Sequence, residues 1–378
     1  MLRVPYYYPS FQCTGSACRD NCCIGWEIEI DQQSFARYRN LPGAMGERLR
    51  QSISEAGGPH FLLHGEQCPF LNQEHLCDLI LFAGEEQLCQ ICRDHPRFFE
   101  WFGSFQEAGL GLCCEEAGRL LFAQREPIAF LELEQSLPGE QKEAPPPLLD
   151  ILFQARNTAF HLAQERTLSI EERCALLLDF ADQLQSALDL NSPDLIPKLC
   201  KQAEDPIQRA ALLEQLKQET CWEQESVFQG MLSFYQGLEP DRQSWMKKLR
   251  QLSAALPELL KLQPAFLATC QERNHEYEHL LVYFLFRYFL KAVFDLEVLP
   301  KVKLAVCSFL LIYLCDLSTF SGTGTLTSDQ RVGNAKDYSR EIEYSPENLD
   351  AFYLKSWEED CFSLDALFSL LFTHKTKG

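Results

Sequence analysis

Cysteine is the residue with the most chemistry to offer in this chain, and it is distributed unevenly. Ten of the 17 cysteines fall within the first 114 residues. They form the groups C-x4-C-x3-C-C, C-x8-C-x11-C-x2-C and C-C, which comprise Cys13, Cys18, Cys22, Cys23, Cys68, Cys77, Cys89, Cys92, Cys113 and Cys114. Thiols this close in sequence either form disulfides or deprotonate and bind a metal ion or an iron–sulfur cluster.

The start of the sequence favours metal binding over disulfides. MLRVPYYYPSFQC lacks the apolar run of about 7 to 15 residues that a secretory signal peptide needs. We therefore expect a cytoplasmic protein. In a reducing cytosol, clustered cysteines are more often metal ligands or catalytic groups than disulfides. A disulfide framework is the less favoured alternative.

Zinc sites and iron–sulfur clusters both use four thiolate-type ligands, so the spacing leaves the two open. The strongest candidate ligands are those in short pairs or in the central group, namely Cys18, Cys22, Cys68, Cys77, Cys89 and Cys92. One member of each adjacent pair is expected to pack inward. His64 and His75 are alternative ligands, although each is more readily interpreted as structural.

Basic residues accompany the cysteines in an otherwise acidic chain. Arg93 and Arg97 are candidates to bind a carboxylate of a cofactor, with His95 and Arg119 nearby. A solvated surface is an equally good interpretation of this group.

The net charge of −20 argues against a nucleic-acid partner, because binding phosphates requires clustered lysine and arginine. A basic partner fits better, and solubility alone is the plain alternative. The longest apolar stretch, Leu280 to Val293, is interrupted by Arg287 and Lys291 and is shorter than the ~20 residues of a membrane span. We expect a buried helix there and no membrane span.

The elements that must position these groups divide the chain into three parts. Residues 1–125 predict a cysteine-rich metal or iron–sulfur domain with little regular structure. The exceptions are a short strand at Trp26, Ile28 and Ile30 and a helix that Asp31 caps. Residues 126–147, with PGEQKEAPPP at 138–147, predict a linker.

Residues 148–378 predict an all-α domain, so the fold class is mainly α. Ser169-x-x-Glu172 is typical of a capping box that opens a helix running through Leu188. Further helices are expected to start near residues 206, 240 and 274, with two more in SPENLDAFYLKSW and DCFSLDALFSLLF, and residues 319–333 are expected to form a long polar loop. The later cysteines lie singly in apolar patterns and are expected to be small buried hydrophobes, namely Cys174, Cys200, Cys221, Cys270, Cys307, Cys315 and Cys361.

Several common catalytic motifs are missing. The sequence has no G-x-G-x-x-G after a strand, no G-x4-G-K-[ST] and no H-E-x-x-H. A conventional dinucleotide or ATP site is therefore not expected.

Four segments together carry a family resemblance. FQCTGSACRDNCCIGWEIEID, CPFLNQEHLC, LCQICRDHPRFFEWFG and LGLCCEEAGRLLF resemble the flagellin lysine-N-methylase (FliB) family and its cysteine-rich zinc- or iron-chelating region. YSREIEYSPENL at 338–349 is similar to the end of that family. The resemblance thus covers both ends of the chain, while the middle is recognisable only as helical.

The resemblance implies transfer of methyl groups from S-adenosylmethionine to lysine ε-amines of flagellin. It also implies that the cysteines hold an iron–sulfur cluster, with 4Fe-4S favoured and zinc as the alternative. The first group here has longer gaps than the C-x-x-C-x-x-C-C common in the broader family, which leaves individual ligand roles open. The C-x3-C-x2-C signature of radical enzymes is missing, so a radical mechanism does not follow.

A lysine amine has a pKa near 10.4, so a methylase must accept a proton from it. The candidate acceptors are Glu115 and Glu116 beside the last cysteine pair, and Tyr7 together with Tyr6 and Tyr8. Salt bridging and packing are the alternative roles for these residues. The alternative functions are a non-catalytic metal-binding interaction module and a metal-delivery protein.

Overall fold

The computed structural model describes residues 1–19, 21–25, 27–134, 144–219, 222–240 and 242–372. Trp26 of the predicted strand, Cys221 and residues 135–143 of the predicted linker lie outside the described residues. The described chain is mostly helical, which confirms the mainly α prediction.

Five helices and six strands form the first part of the fold. The strands are β1 Leu2–Pro5, β2 Ile53–Ser54, β3 His60–Phe61, β4 Arg97–Phe102, β5 Phe105–Leu110 and β6 Phe130–Leu133. The helices are α1 Gln32–Asn40, α2 Gly43–Gln51, α3 Asp78–Ala83, α4 Gln90–Asp94 and α5 Glu115–Ala123.

The helical body follows. Its helices are α6 Leu149–Ala163, α7 Ile170–Asp189, α8 Ile196–Glu204, α9 Pro206–Glu219, α10 Gln224–Gln236, α11 Gln243–Cys270, α12 His275–Tyr288, α13 Ala292–Asp295, α14 Val298–Thr323, α15 Ser328–Tyr338, α16 Pro346–Glu358 and α17 Leu364–Leu371. A π-helix, Ser339–Glu343, joins α15 to α16.

The expectation of little regular structure near the N-terminus is not confirmed. Strands β4, β5, β1 and β6 form one sheet in that order, with β1 parallel to β5 and antiparallel to β6. Aromatic residues explain its formation, because RFFEWF and the following strand supply side chains such as Phe102 and Phe105 that pack on the helical body. The predicted strand at Ile28 and Ile30 is wrong, since that segment forms only a single bridge, between Glu29 and His60.

A minor hydrophobic cluster of Leu2, Val4 and Ala108 lies in the sheet, and two larger hydrophobic cores organise the described part of the molecule. The larger one joins the helical body to Tyr7, Phe102 and Leu110 of the N-terminal segments. The smaller one lies among the cysteines and includes Tyr38 and Phe70. The sheet therefore packs with the helices, while the segment from about residue 22 to residue 92 has its own core. We call this segment the cysteine unit, and the predicted domain boundaries stay a prediction.

Several helix ends follow the sequence closely. Asp31 accepts a hydrogen bond from the Ser34 amide at 2.8 Å and caps α1. Ser169 and Glu172 form the predicted capping box of α7. Helices α9 and α12 begin at Pro206 and His275, and α16 and α17 confirm the two predicted C-terminal helices.

The polar loop predicted at residues 319–333 is wrong. Helix α14 continues to Thr323, Gly324 ends it with φ 69°, and Thr327 caps α15. The polar residues in this stretch therefore end one helix and begin the next, a pattern that resembles a loop when only composition is considered.

Most of the predicted buried groups are confirmed. Helix α12 is buried as expected, and Arg287 and Lys291 form ion pairs with Glu343 and Glu100. Of the six later cysteines that the structure describes, five are buried and Cys361 is half-buried. By length and composition, α14 is apolar enough to cross a membrane, and the stretch that qualifies is entirely buried against the rest of the fold.

Candidate active site and thiol centre

Cysteines from four separate segments converge in the cysteine unit. A hydrogen bond with Cys22, burial and the neighbouring thiols of Cys68 and Cys77 all raise the pKa of Cys23. The sulfur atoms of Cys89 and Cys92 lie 3.5 Å apart. Cys92 in turn lies within electrostatic range of Cys23 and Cys68. We call this group the thiol cluster, and its members are Cys22, Cys23, Cys68, Cys77, Cys89 and Cys92.

Short backbone contacts bring these segments together. The Cys68 amide donates to the Cys23 carbonyl at 2.8 Å, and Leu71 forms a bridge with Cys77. Cys68 and Cys89 are buried in the smaller core. The packing of that core therefore fixes the position of the cluster.

The cysteine sulfur atoms of the thiol cluster are donors of the chemical type that binds metal cations. Burial raises the pKa of Cys68 to about 12, so this thiol is neutral near pH 7 unless a cation stabilises the thiolate. Soft sulfur donors are the ligands that zinc and iron–sulfur clusters use. Among the described residues, no group of three or more His, Cys, Asp or Glu side chains is arranged closely enough to hold a metal ion. Metal ligation by these cysteines stays a prediction.

The other predicted ligands differ in their surroundings. Cys13 is exposed and accepts a weak hydrogen bond from the Gly15 amide at 3.5 Å. Burial raises the pKa of Cys114 to about 11, with smaller contributions from Cys18 and Cys22. Cys113 is directed instead towards Tyr344. The two members of the last cysteine pair therefore face different surroundings.

Both alternative histidine ligands are exposed. His64 forms a backbone bridge with Gln67, and His75 adopts a positive φ of 59° in a turn. Their ligand roles also stay a prediction.

Glu115 is held by cations at the start of α5. Its carboxylate lies 3.3 Å from Lys336 Nζ and 3.4 Å from Arg19 Nε. Burial opposes ionisation, but Lys336 and Arg19 outweigh it and lower the pKa of Glu115. A carboxylate paired in this way is a weak proton acceptor. Glu116 pairs with Arg119 at 3.6 Å.

The remaining predicted site residues are dispersed. Tyr7 is buried in the larger core, and burial raises its pKa. Arg93 donates to Gln90 at 2.7 Å, while Arg97 stacks on the rings of Tyr8 and Phe11. The structure does not bring Tyr7, Arg93 and Arg97 to one point.

A buried arginine–tyrosine network was not anticipated from the sequence. Arg287 Nη1 lies 3.1 Å from Glu343 Oε1, and it donates to the Tyr283 hydroxyl at 2.7 Å. Tyr283 and Tyr288 both donate to Glu343 at 3.0 Å. The Tyr344 ring stacks on the Arg287 guanidinium, 5.1 Å from its centroid. The only sequence signal was YSREIEY, which contains Glu343 and Tyr344.

The π-helix links this network to the cysteine unit. π-Helices often occur at functional sites. Arg340 within it donates to the Ile24 carbonyl at 3.2 Å, next to Cys22 and Cys23. Gly111 lies so close to the network that a Cβ there would stand 2.0 Å from the Tyr344 hydroxyl.

A large cavity lies mainly in the helical body. It measures about 690 Å³ and lies where α7, α11, α12 and α14 meet. This volume is within the range of about 300–1,000 Å³ that is usual for small-molecule sites. The aromatic lining consists of Tyr277, Phe309 and Tyr313.

Charged groups of both signs complete the lining of the cavity. Arg166 donates to both oxygens of Glu278 at 2.9 Å, and Arg173 donates to one of them at 3.0 Å. Arg125 and His275 also contribute to the lining. Burial lowers the pKa of His275, so its imidazole is neutral at pH 7 and can accept a proton.

Comparison with known proteins decides the family. Residues 156–370 match the model of the FliB lysine N-methylase C-terminal domain. The chain belongs to the FliB lysine N-methylase family. The matched region includes His275, Arg287 and Glu343, together with most of the cavity lining. No solved structure matches this FliB-family chain.

Curated relatives of this FliB-family chain come from Salmonella. The lysine-N-methylases of Salmonella typhimurium strain LT2 and Salmonella choleraesuis strain SC-B67 are each 26% identical over 136 residues, which is 34% of this chain and 34% of each relative. The flagellar biosynthetic protein FliU of Salmonella muenchen is 28% identical over 123 residues, 30% of this chain and 71% of that protein. The chain thus spans about a third of the length of the two lysine-N-methylases.

Proposed function

We propose that this protein transfers methyl groups from S-adenosylmethionine to lysine ε-amines of flagellin, in the cytoplasm. The match of residues 156–370 to the FliB C-terminal domain carries this proposal. The names of the relatives, lysine-N-methylase and a flagellar biosynthetic protein, support the reaction and the substrate.

The large cavity is the proposed site for S-adenosylmethionine, which when bound supplies a methyl group on a positively charged sulfur. Its size and its lining are the support. The rings of Tyr277, Phe309 and Tyr313 offer surfaces for a purine. Arg125 suits the carboxylate of the ligand, and Glu171 suits its ammonium or ribose hydroxyl groups.

His275 is the proposed proton acceptor for the lysine. The amine attacks only in its neutral form, and its ordinary pKa near 10.4 keeps it charged at pH 7. Because burial keeps the His275 imidazole neutral, its ring can take the proton in the cavity. Tyr277 and Phe309 would also exclude water from the reacting amine.

The thiol cluster is the proposed metal site, with an iron–sulfur cluster favoured and zinc as the alternative. Such a group would supply a rigid centre and, for iron–sulfur, redox capability. Four of the six cysteines would hold it. The support is their approach from four segments and the burial of Cys68 and Cys89 in the smaller core.

Anaerobic purification followed by iron and zinc analysis tests the metal site. We expect the double variant Cys89→Ser with Cys92→Ser to lose most of the bound metal. Cys361→Ser is the matched control, because Cys361 is half-buried like Cys92 but lies in the helical body. Equal metal content in both variants would exclude Cys89 and Cys92 as ligands.

Methyl transfer itself is tested with purified flagellin and labelled S-adenosylmethionine. The metal-loaded protein should label lysine residues and bind the cofactor saturably. A metal-loaded protein that binds no S-adenosylmethionine would favour the non-catalytic metal-binding module instead.

A further inference from the structure

Helix α3 exposes a run of apolar side chains. Ile80, Leu81 and Phe82 are 41%, 60% and 55% exposed, and Ala83 is exposed as well. We call residues Ile80–Ala83 the apolar knuckle. No other three consecutive large apolar residues in the described ranges are all exposed. Consecutive exposed apolar residues lower the solubility of a protein, and a run of this kind therefore indicates a binding surface.

The knuckle is firmly anchored. Leu79, just before it, is buried in the smaller core at 2% exposure. Asp78 at the start of α3 forms an ion pair with Arg48 at 2.6 Å and accepts from Asn72 at 3.1 Å. The apolar side chains are therefore presented by a fixed backbone and do not belong to a loose loop.

Acidic residues lie beside the knuckle. Glu85 and Glu86 follow it in a short 3₁₀ turn and are both exposed. In a chain with net charge −20, this combination suits a protein surface that carries apolar side chains next to lysines. The glutamates would speed association, and the apolar groups would slow dissociation.

We propose that the apolar knuckle, with Glu85 and Glu86, is the docking surface for the lysine-bearing protein substrate. This inference rests on the proposed function and assigns the recognition of the protein partner to the cysteine unit. The knuckle begins three residues after Cys77 of the thiol cluster, in the helix that Cys77 precedes, so loss of the metal centre would also disturb the docking surface. Recognition of the partner then depends on more than the reacting lysine.

The test uses the metal-loaded protein and immobilised purified flagellin. Replacing Leu81 and Phe82 together by Gln should weaken the dissociation constant about tenfold or more, because central apolar contacts dominate binding. Ile207→Gln is the matched control, since Ile207 is 81% exposed on α9. It should leave the dissociation constant unchanged. Metal content and S-adenosylmethionine binding should be the same in both variants.

A short lysine peptide separates docking from chemistry. The knuckle variant should methylate the peptide like the wild type while its KM for flagellin rises about tenfold. An unchanged KM and dissociation constant for flagellin would overturn the proposal. Conversion of a dimer into a monomer by the variant would also overturn it, because the surface would then belong to a second copy. Knuckle-dependent binding without methyl transfer would support docking and refute the proposed function.

Discussion

At the scale of single residues, the candidate reactive groups are of two kinds, namely the clustered thiols and the His275 imidazole in the cavity. The thiols are numerous and close in sequence, whereas His275 is one of two histidines in the first turns of an apolar helix, its ring centroid 5.5 Å from that of His279. Its environment in the cavity comes from segments as distant as Arg125 and Ser169. Only the fold makes this imidazole a candidate for proton transfer.

Replacing His275 by Gln should lower kcat for methyl transfer about 100-fold or more, because general bases contribute 10²–10⁴-fold. The dissociation constant of S-adenosylmethionine should change little. His161→Gln is the control, since His161 is a largely exposed histidine on α6. Steady-state kinetics with flagellin measure both variants, and an unchanged kcat in His275→Gln would exclude the role.

The pH profile gives a second readout for the same residue. The pKa of His275 lies below its ordinary value because the ring is buried, so the neutral base persists into mildly acidic solution. Wild-type kcat should therefore be flat near pH 7 and fall only when the pH drops through that lowered pKa. The Gln variant should lack this acid limb.

The same contrast explains what the sequence could predict. The ten clustered cysteines were recognisable because their spacing is itself unusual, and the structure does bring six of them together. Tyr283, Arg287 and Glu343 were missed because two of them lie in an apolar helix and their partner follows more than 50 residues later. Sequence spacing carries no information about such distant contacts.

At the scale of elements, helix ends were predictable and the polar interior was not. Asp31 and Ser169 act locally, so their residue types already indicate capping. The π-helix at Ser339–Glu343 has no such signal, because its neighbours in space determine it. Glu343 at its end accepts hydrogen bonds from two tyrosines of α12 and pairs with Arg287.

Arg287→Met should lower the free energy of unfolding by about 3–5 kcal/mol, because it leaves the buried Glu343 carboxylate without its cation. The double variant with Glu343→Gln should lose less than the sum of the two single variants. Lys291→Met is the control from the turn that follows α12, where the pair with Glu100 is partly exposed and contributes about 1 kcal/mol or less. Urea denaturation measures all of these variants, and simple additivity would contradict the network.

At the scale of the whole molecule, polar contacts join the cysteine-rich segments to the helical body, and we call these contacts the polar seam. From composition alone, the sequence predicted a domain boundary at the proline-rich stretch. It gave no sign that the N-terminal sheet packs into the helical core, because β1 pairs with β5 more than 100 residues away. The polar contacts between the cysteine-rich segments and the helical body include the hydrogen bond from Arg340 to Ile24 and the pairs that Glu115 forms with Arg19 on one side and Lys336 on the other.

Glu115 is central to this seam, which gives it a structural role that can be separated from catalysis. Glu115→Gln removes the charge that faces Lys336 and Arg19, and Lys336 is nearly buried. Loss of this charge-assisted hydrogen bond should cost on the order of 2 kcal/mol. The N-terminal loop that carries Cys18 and Cys22 should then become more open to limited proteolysis.

Glu116→Gln supplies the matched control, because Glu116 adjoins Glu115 but pairs only with the partly exposed Arg119. It should change the unfolding free energy by less than about 1 kcal/mol. If Glu115 instead acts as the proton acceptor, its Gln variant would keep wild-type stability and protease resistance while kcat fell. We expect Glu115→Gln to be less stable than the wild type. Its kcat should be restored when saturating metal and cofactor stabilise the contacts between the cysteine-rich segments and the helical body. This outcome follows because the lowered pKa of Glu115 reflects cations that join the cysteine-rich segments to the helical body.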